Sequence, residues 1–387
     1  PPSPPPLPAR PHRIRYRPSM TSTRWAILGL GNFADGTAPT LAAADGCEIT
    51  CVASRSRDRA LEFVRRHELP AAAAATYDEA LERDDVDAVY LVVPNHLHVA
   101  LAGRALAAGK HVLSEKPLTP FRAHAERVFA AAERAGRLLA EGFMYLHHPQ
   151  TARLRAVCRG GGGDLVGGDP GSPLLGRITA VIANRGYDLT RPDIAKTRFS
   201  HRMWGGALMD LGCYPVSLVR ELLGEEPDDA GAVAAIAPPL ETESLGVDSV
   251  LAYHMRFPSG AVASGVASAV SRHAGNSLTI VGEWGRLTTG WAYVPHREPD
   301  GPVLELDQSH PEGKARGPEK QTLTFDDQSV SGAQREFENF ARAARGETGT
   351  PIPSPEWSIA QAGVIESLLA DAGVRFDPAS PDAELRG

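Results

Sequence analysis

A glycine-punctuated turn placed directly after a short apolar strand constrains this chain more than any other feature. Residues Gly29-Leu30-Gly31-Asn32-Phe33-Ala34 follow the apolar run Trp25–Leu28 and fit the pattern G-x-G-x-x-G/A. In that pattern the first glycine makes a tight turn and the second lets the backbone approach a pyrophosphate. The small third position lets helix pack closely on strand. The N-terminus of the following helix then faces the phosphates with free N–H groups and its positive dipole end. By itself such a pattern arises in many glycine turns; its place in a strand–helix rhythm gives it weight. Gly29, Gly31, Asn32 and Phe33 are therefore candidate dinucleotide contacts.

The rhythm continues downstream. Glu48–Ala53 reads as a strand, Arg59–His67 as a helix, and Val86–Val93 as a continuous apolar run. Such a run suits a parallel strand buried on both faces. Helix Ala100–Ala108, strand His111–Leu113, helix Ala123–Ala135 and strand Arg137–Glu141 follow. The spacing predicts an α/β fold, a doubly wound parallel Rossmann sheet over residues 21–142.

Beyond Pro149 the pattern changes. A helix over Thr151–Val157 leads into residues 159–174, a glycine-rich stretch read as a flexible insertion. Strand-like segments follow at Ile178–Asn184, Ser249–Phe257, Ala261–Ser268, Ser277–Val281 and Gly285–Thr289, with helices after Gly212, at Gln334–Arg345 and at Ser358–Ala372. Residues 143–387 are thus expected to form an α+β substrate-binding and oligomerisation domain on a largely antiparallel open sheet. An open sheet of this kind buries a face by self-association, which predicts a homodimer or homotetramer. Residues 1–20 are rich in Pro and Arg and lack apolar periodicity, so a disordered tail is expected. Met20 stands just before the first strand, which suggests that the tail lies upstream of the natural start.

Composition excludes several functions. The net charge of -7 comes with no long basic run, which argues against a nucleic-acid partner. No segment approaches the roughly 20 apolar residues of a membrane span. The four cysteines, Cys47, Cys51, Cys158 and Cys213, are too few and scattered for a disulfide framework. Reduced thiols and a cytoplasmic location are the expectation.

The end of the second strand separates NAD from NADP. NAD binders place an acid there for the ribose 2′-hydroxyl, whereas Arg accommodates a 2′-phosphate. Here Ser54-Arg55-Ser56-Arg57 comes first and no acid appears before Asp58. Hydroxyl and guanidinium donors suit a phosphate dianion, so NADP is the expected cofactor, with Ser54 and Arg55 as contacts and NAD as the lesser possibility. A solvated charged turn is the plainer alternative.

Three further segments carry a resemblance: AVYLVVPNHLHVALAGRALAAGKHVLSEKP at Ala88–Pro117, GFMYLHHPQ at Gly142–Gln150, and GGALMDLGCY at Gly205–Tyr214. With the glycine loop they resemble the glucose–fructose oxidoreductase/inositol dehydrogenase/rhizopine-catabolism family. The likeness is to its branch of dimeric dihydrodiol dehydrogenase and NADP-dependent xylose dehydrogenase, over roughly residues 23–370. The resemblance implies hydride transfer between a nicotinamide and a carbinol or keto carbon of a sugar or trans-diol. It implies Lys116 and Tyr214 as catalytic, Asp210 as the residue that orients substrate hydroxyls, and Pro94, Asn95, His98, Glu115 and Lys116 itself as cofactor contacts near the nicotinamide end.

Elementary chemistry runs the same way. Lys116 ends a strand at the carboxyl edge of the sheet, where open α/β folds bind ligands. Pro117 restricts its backbone and is a candidate cis site. A lysine beside an oxidised nicotinamide stabilises a developing alkoxide. Asp210 and Tyr214 share a face if the segment is helical, although Gly212 lies between them. A phenol with an ordinary pKa of about 10 needs a nearby cation to exchange protons near neutrality. A buried core phenol and a structural histidine are the alternatives for Tyr214 and His98. Tyr145, His147 and His148 lack a third ligand at metal spacing, so no metal is expected. Leu146 and His147 depart from the family pattern, which often has Arg and an aromatic there. Arg185, Arg202 and Trp204 are candidates for the pocket wall or for packing. A ketosugar reductase of deoxysugar assembly and a non-catalytic NADP-binding regulator are the rival readings; a regulator need not keep the Lys116–Tyr214 pair.

Overall fold

In the computed structural model the described residues are 21–69, 72–241, 243–294, 303–309, 320–324 and 331–378. The expected disordered tail lies outside them. The first sheet alternates strongly with helices: β1 (Thr23–Leu28), α1 (Asn32–Ala42), β2 (Cys47–Ala53), α2 (Arg57–Arg66), β3 (Ala73–Ala75), α3 (Tyr77–Glu82), β4 (Ala88–Leu91), α4 (His98–Ala107), β5 (His111–Glu115), α5 (Arg122–Ala135) and β6 (Leu139–Gly142). Its strand order is β3-β2-β1-β4-β5-β6 and every pairing is parallel. This is the Rossmann order, in which the crevice opens outside the carboxyl ends of β1 and β4, where the strand order reverses. Trp25, Ala26, Ile27 and Leu28 of β1 are fully buried, as a central strand covered by helices on both faces must be.

The second unit carries α6 (Pro149–Cys158), β7 (Ile178–Ala183), β8 (Arg185–Gly186), α7 (Pro192–Arg198), α8 (Cys213–Leu223), β9 (Asp229–Ile236), β10 (Asp248–Arg256), β11 (Val262–Ser268), β12 (Leu278–Gly282), β13 (Gly285–Thr289), β14 (Val303–Asp307) and β15 (Lys320–Thr324). Among the described residues these strands form one nine-stranded sheet in the order β15-β14-β13-β12-β7-β11-β10-β9, with β8 paired to β11. Its pairings are antiparallel except those of β11 with β7 and β8. The alternation of β10 and β11 puts Leu251, Tyr253, Ala263 and Ala267 into a core closed by α8. The opposite face presents Ile182, Val233 and Val262 to solvent.

Two expectations need correction. The last helices, α9 (Gly332–Ala344) and α10 (Pro355–Asp371), were assigned with the second domain, yet α9 returns to the first. Phe337, Phe340, Ala341 and Ala344 recur at i, i+3, i+4 and i+7 and bury that stripe on the first sheet. Phe337 and Phe340 meet Trp25 at 5.9 and 5.2 Å between ring centroids. Helix α10 lies across both cores, giving Ala362 to the first and Ile365 and Leu368 to the second. The glycine-rich stretch 159–174 is also more tied down than a flexible insertion. Backbone hydrogen bonds run from Gly162 to Pro170, from Gly163 to Ser172 and from Leu174 to Gly161, and Leu174 and Leu175 are buried.

Candidate active site

The glycine turn between β1 and α1 has the shape its sequence implies. Gly29 sits at φ +101°, and a Cβ there would stand 2.4 Å from the Val92 carbonyl oxygen, so only glycine fits. Gly31 caps α1 in extended conformation, with no side chain capping the helix and nothing within 4 Å of where its Cβ would be. Asn32 and Phe33 are exposed beside it, and the Asn32 amide reaches Asp193 of α7 at 3.3 Å. An uncapped eleven-residue helix with open space at its N-terminus fits a dinucleotide pyrophosphate.

At the end of β2 the two expected cofactor contacts separate. The Ser54 hydroxyl is buried and closed in its own turn, donating to the Ser56 carbonyl at 2.7 Å and accepting from the Ser56 N–H at 3.0 Å. Arg55 is exposed and makes no hydrogen bond or ion pair among the described residues, which leaves its fork free for a ligand. Arg57 is spent on Glu79. Arg59 joins the glycine loop instead, its guanidinium 3.4 Å from the Leu30 carbonyl, a role its sequence position did not suggest.

The loop after β4 turns its polar side chains inward. His98 is fully buried, with Nδ1 2.9 Å from the Pro117 carbonyl and Nε2 3.0 Å from that of Val93. Burial lowers its pKa to about 4 against those two contacts, so the ring is neutral and its single N–H donates to one of the two carbonyls. That geometry answers the choice left open for His98: its side chain serves the loop and is not available to a nucleotide. The Asn95 amide donates to the Trp204 carbonyl at 2.8 Å and ties this loop to the second domain; Pro94 sits half-buried just before it.

The centre of the crevice is built around Lys116, which follows β5; the Lys116–Pro117 peptide is cis. Its Nζ donates to the Asp210 backbone carbonyl at 2.8 Å and lies 3.8 Å from the Asp210 carboxylate. The same ammonium stands 4.6 Å from the centroid of the Tyr214 ring. Burial works to lower the Lys116 pKa, but its neighbours Tyr214, Cys213, Asp210 and Glu115 outweigh it and the net shift is upward. The carboxylate of Asp210 is the neighbour that carries this at neutral pH.

Asp210 and Tyr214 are brought together by an unusual helical path. Residues Leu208–Gly212 form a π-helical turn that runs directly into α8, so Gly212 is no break. Local π geometry of this sort recurs at functional sites because it re-aims side chains. Asp210 is also gripped by Arg198 of α7, Nη1 to Oδ1 at 2.8 Å. Burial would raise its carboxyl, but Arg198, Lys116 and Arg185 together hold it below the usual range. No motif marks Arg198; its helix folds back onto the site, a contact that local spacing does not encode.

Tyr214 is buried, and its hydroxyl makes no hydrogen bond among the described residues. Burial pushes the phenol up to about 12, against the lowering pull of Lys116 and Arg185. Glu115, also buried, accepts from the Tyr90 hydroxyl at 2.6 Å, and burial raises its carboxyl against the pull of Lys116. The side chain of Glu115 therefore faces the interior of the first domain.

The side chains of the segment after β6 are held by structural partners. The Tyr145 hydroxyl is shared with Ser217 at 2.8 Å, and His147 takes a hydrogen bond from Asn339 of α9 at 3.0 Å. His148 caps α6 by accepting from the Gln150 N–H at 3.1 Å. Among the described residues no cluster of three or more His, Cys, Asp or Glu is placed to hold a metal, and no helix is long and apolar enough to cross a membrane. Trp204 lines the site loop with φ +55°, its ring edge-on to Phe121 at 5.3 Å.

Comparison with known proteins identifies the family and the fold. Residues 23–143 match the oxidoreductase family with an NAD-binding Rossmann fold, and residues 172–288 match the GFO/IDH/MocA C-terminal domain. The chain belongs to the GFO/IDH/MocA oxidoreductase family. Among relatives of this family member, a dTDP-3,4-didehydro-2,6-dideoxy-alpha-D-glucose 3-reductase of Actinomadura kijaniata is 38% identical over 211 residues, 54% of this chain and 59% of that one. A D-xylose 1-dehydrogenase (NADP(+)) of Haloferax volcanii is 31% identical over 89% of this chain and 96% of its own. The crystal structure of a 3-ketoreductase from Actinomadura kijaniata with NADP and TDP-benzene superimposes with a TM-score of 0.75 at 29% identity, covering 90% of this chain and 98% of that one. This GFO/IDH/MocA member is an oxidoreductase with a nicotinamide-dinucleotide domain.

Proposed function

We propose that the protein is an NADP-dependent oxidoreductase that exchanges hydride with a carbinol or keto carbon of a sugar or trans-diol. The observation that carries the reading is the free hydroxyl of buried Tyr214, whose ring centroid lies 4.6 Å from the Lys116 ammonium. The bound nicotinamide supplies or accepts the hydride. Gly29, Gly31, Asn32 and Phe33 would receive the pyrophosphate, and Arg55, with Ser54 shaping the turn, would hold the ribose phosphate. The backbone of Pro94, Asn95 and Glu115 would border the nicotinamide end.

In the oxidative direction Tyr214 takes the hydroxyl proton as the carbinol carbon gives up hydride and its C–O bond becomes C=O. Lys116 stabilises the negative charge that gathers on that oxygen, and Asp210 accepts a hydrogen bond from a neighbouring hydroxyl. Reduction is the reverse, with Tyr214 returning the proton. The test is the absorbance of reduced nicotinamide across a panel of aldoses and diols with NADP⁺ and NAD⁺. Tight NADP⁺ binding with turnover on one class supports the reading; failure to bind either nucleotide ends it.

A second reading within the same chemistry is reduction of a nucleotide-linked ketosugar, favoured by the relatives named as dTDP-ketosugar reductases. Consumption of NADPH on such a ketosugar, with no activity on free aldoses, would select it. We also infer that the outer face of the second sheet, with Ile182, Val233 and Val262 exposed, is where copies of the chain join as a homodimer or homotetramer. Light scattering on wild type and on Val233→Glu tests this; a monomeric wild type removes it.

A further inference from the structure

Arg185, on β8, carries a charge in this site that is bonded to no acid, although it helps hold the Asp210 carboxyl low. The residue is only 6% exposed, and its Nε and Nη1 are closed off without a hydrogen-bond partner. Among the described residues it makes no ion pair. Aromatic faces surround it instead: its Cζ lies 3.6 Å from the centroid of Tyr214, 4.9 Å from Tyr293 and 5.5 Å from Tyr187. Burying an unpaired cation is costly, and ring faces recover part of that cost through their quadrupoles. A carboxylate partner would solvate the guanidinium better but would also neutralise it. The rings leave the charge intact and directed at Tyr214.

Among the other groups facing Tyr214, Lys116 also pulls the phenol down, and more strongly. From the end of β5, Lys116 shares its charge with Asp210, which Arg198 also holds. Glu115 is raised by burial and bonded to Tyr90. From the helix of Tyr214 itself, burial pushes the Cys213 thiol up to about 12, so it is neutral. From the segments after β6 and β13, Tyr145 and Tyr293 are buried phenols pushed upward, and both contact the Tyr214 ring.

We propose that Arg185 is a positioning residue for proton transfer: its unpaired charge, laid on the ring of Tyr214, joins that of Lys116 in setting the pH range in which that phenol gives and takes the substrate proton. The proposal rests on the reading of Tyr214 as the acid–base group. It assigns a role to a residue outside the Lys116–Asp210–Arg198 ion pairs.

The test reads Tyr214 directly. Difluorotyrosine placed at position 214, whose phenol ionises where the fold survives, is titrated by fluorine NMR in the full chain with NADP⁺. Arg185→Gln is expected to raise the midpoint by about 1–2 pH units, since a like-sized shift follows from removing one charge at this range. Arg185→Lys keeps the charge and is expected to restore the wild-type midpoint to within about half a unit, and Arg185→Met serves as the neutral variant should Gln not fold. The rising limb of kcat against pH should move with the midpoint, while KM for NADP⁺ stays. Midpoints that ignore the charge at 185, or that Lys and Gln shift equally, overturn the proposal. A midpoint that moves in a protein that turns over no sugar, diol or ketosugar keeps the coupling of Arg185 to the Tyr214 phenol but removes the functional reading, and with it the role in proton transfer.

Discussion

The ammonium of Lys116 is bonded to the backbone carbonyl of Asp210 at 2.8 Å while that residue's carboxylate lies 3.8 Å away. One residue of the Rossmann domain thus holds the π turn of the second domain by its main chain and is itself held by its side chain. Both side chains are close to nine-tenths buried, so the pair is not a solvent-screened surface bridge.

Lys116→Met should therefore act on chemistry far more than on cofactor capture. Loss of a charge aimed at a developing oxyanion costs about 10²–10³ in kcat. Fluorescence titration with NADPH should give a dissociation constant near that of wild type, because the glycine loop is untouched. A variant that keeps its kcat would exclude Lys116 from the reaction.

Tyr214→Phe isolates the hydroxyl. The ring keeps its stacking with Arg185, at 3.6 Å, and its edge-on contact with Phe143, at 5.5 Å, so the fold should hold to within about 1 kcal/mol in chemical denaturation. Removing a general acid–base group should lower kcat by roughly 10²–10⁴. Large destabilisation with little kinetic effect would identify the residue as a core phenol.

Arg55→Ala tests the cofactor assignment. The side chain is exposed and unpaired among the described residues, so its removal should leave stability unchanged. A charge-assisted contact to a 2′-phosphate is worth roughly 10- to 100-fold in affinity. NADP⁺ binding by calorimetry should weaken by about that factor while NAD⁺ binding stays the same. Equal weakening of both would place Arg55 elsewhere on the dinucleotide.

How much of this was legible beforehand depends on the range of the interaction. The glycine turn, the parallel strands and the lysine after β5 are written in local spacing, because each is one residue type at one point of a strand–turn–helix unit. Period and capping do not say what a finished helix packs against, so α9 was grouped with its neighbours in sequence rather than with Trp25 and Tyr90. The motif at Gly205–Tyr214 pointed to Asp210 and Tyr214, yet Gly212 hid the continuous helical path. Arg198 and the aromatic cage of Arg185 come from β8, α7 and the segment after β13, a convergence with no sequence period. His98 was assigned with its loop, whereas its burial turned both ring nitrogens to backbone carbonyls.

Asp248 gives the clearest pH test of how the site is supported. It opens β10, is fully buried, and accepts from the Leu208 N–H at 2.6 Å, holding the start of the π turn that carries Asp210. Burial raises its carboxyl to about 7, against the lowering effect of backbone N–H groups. The folded pKa lies above the unfolded one, so the folded chain binds this proton more tightly. Its stabilising contribution is complete below pH 4 and is lost as pH rises through about 7, a swing on the order of a few kcal/mol. Asp248→Asn cannot titrate, and its oxygen can keep the Leu208 contact while the amide takes the unpartnered Oδ1 position. Urea denaturation at pH 5 and pH 8 should show the wild type losing stability between the two values and the variant losing less. Parallel losses in the two chains would mean that Asp248 is ionised in the folded state throughout and that another buried acid, with Glu141 at about 7 the next to replace, governs the alkaline limb.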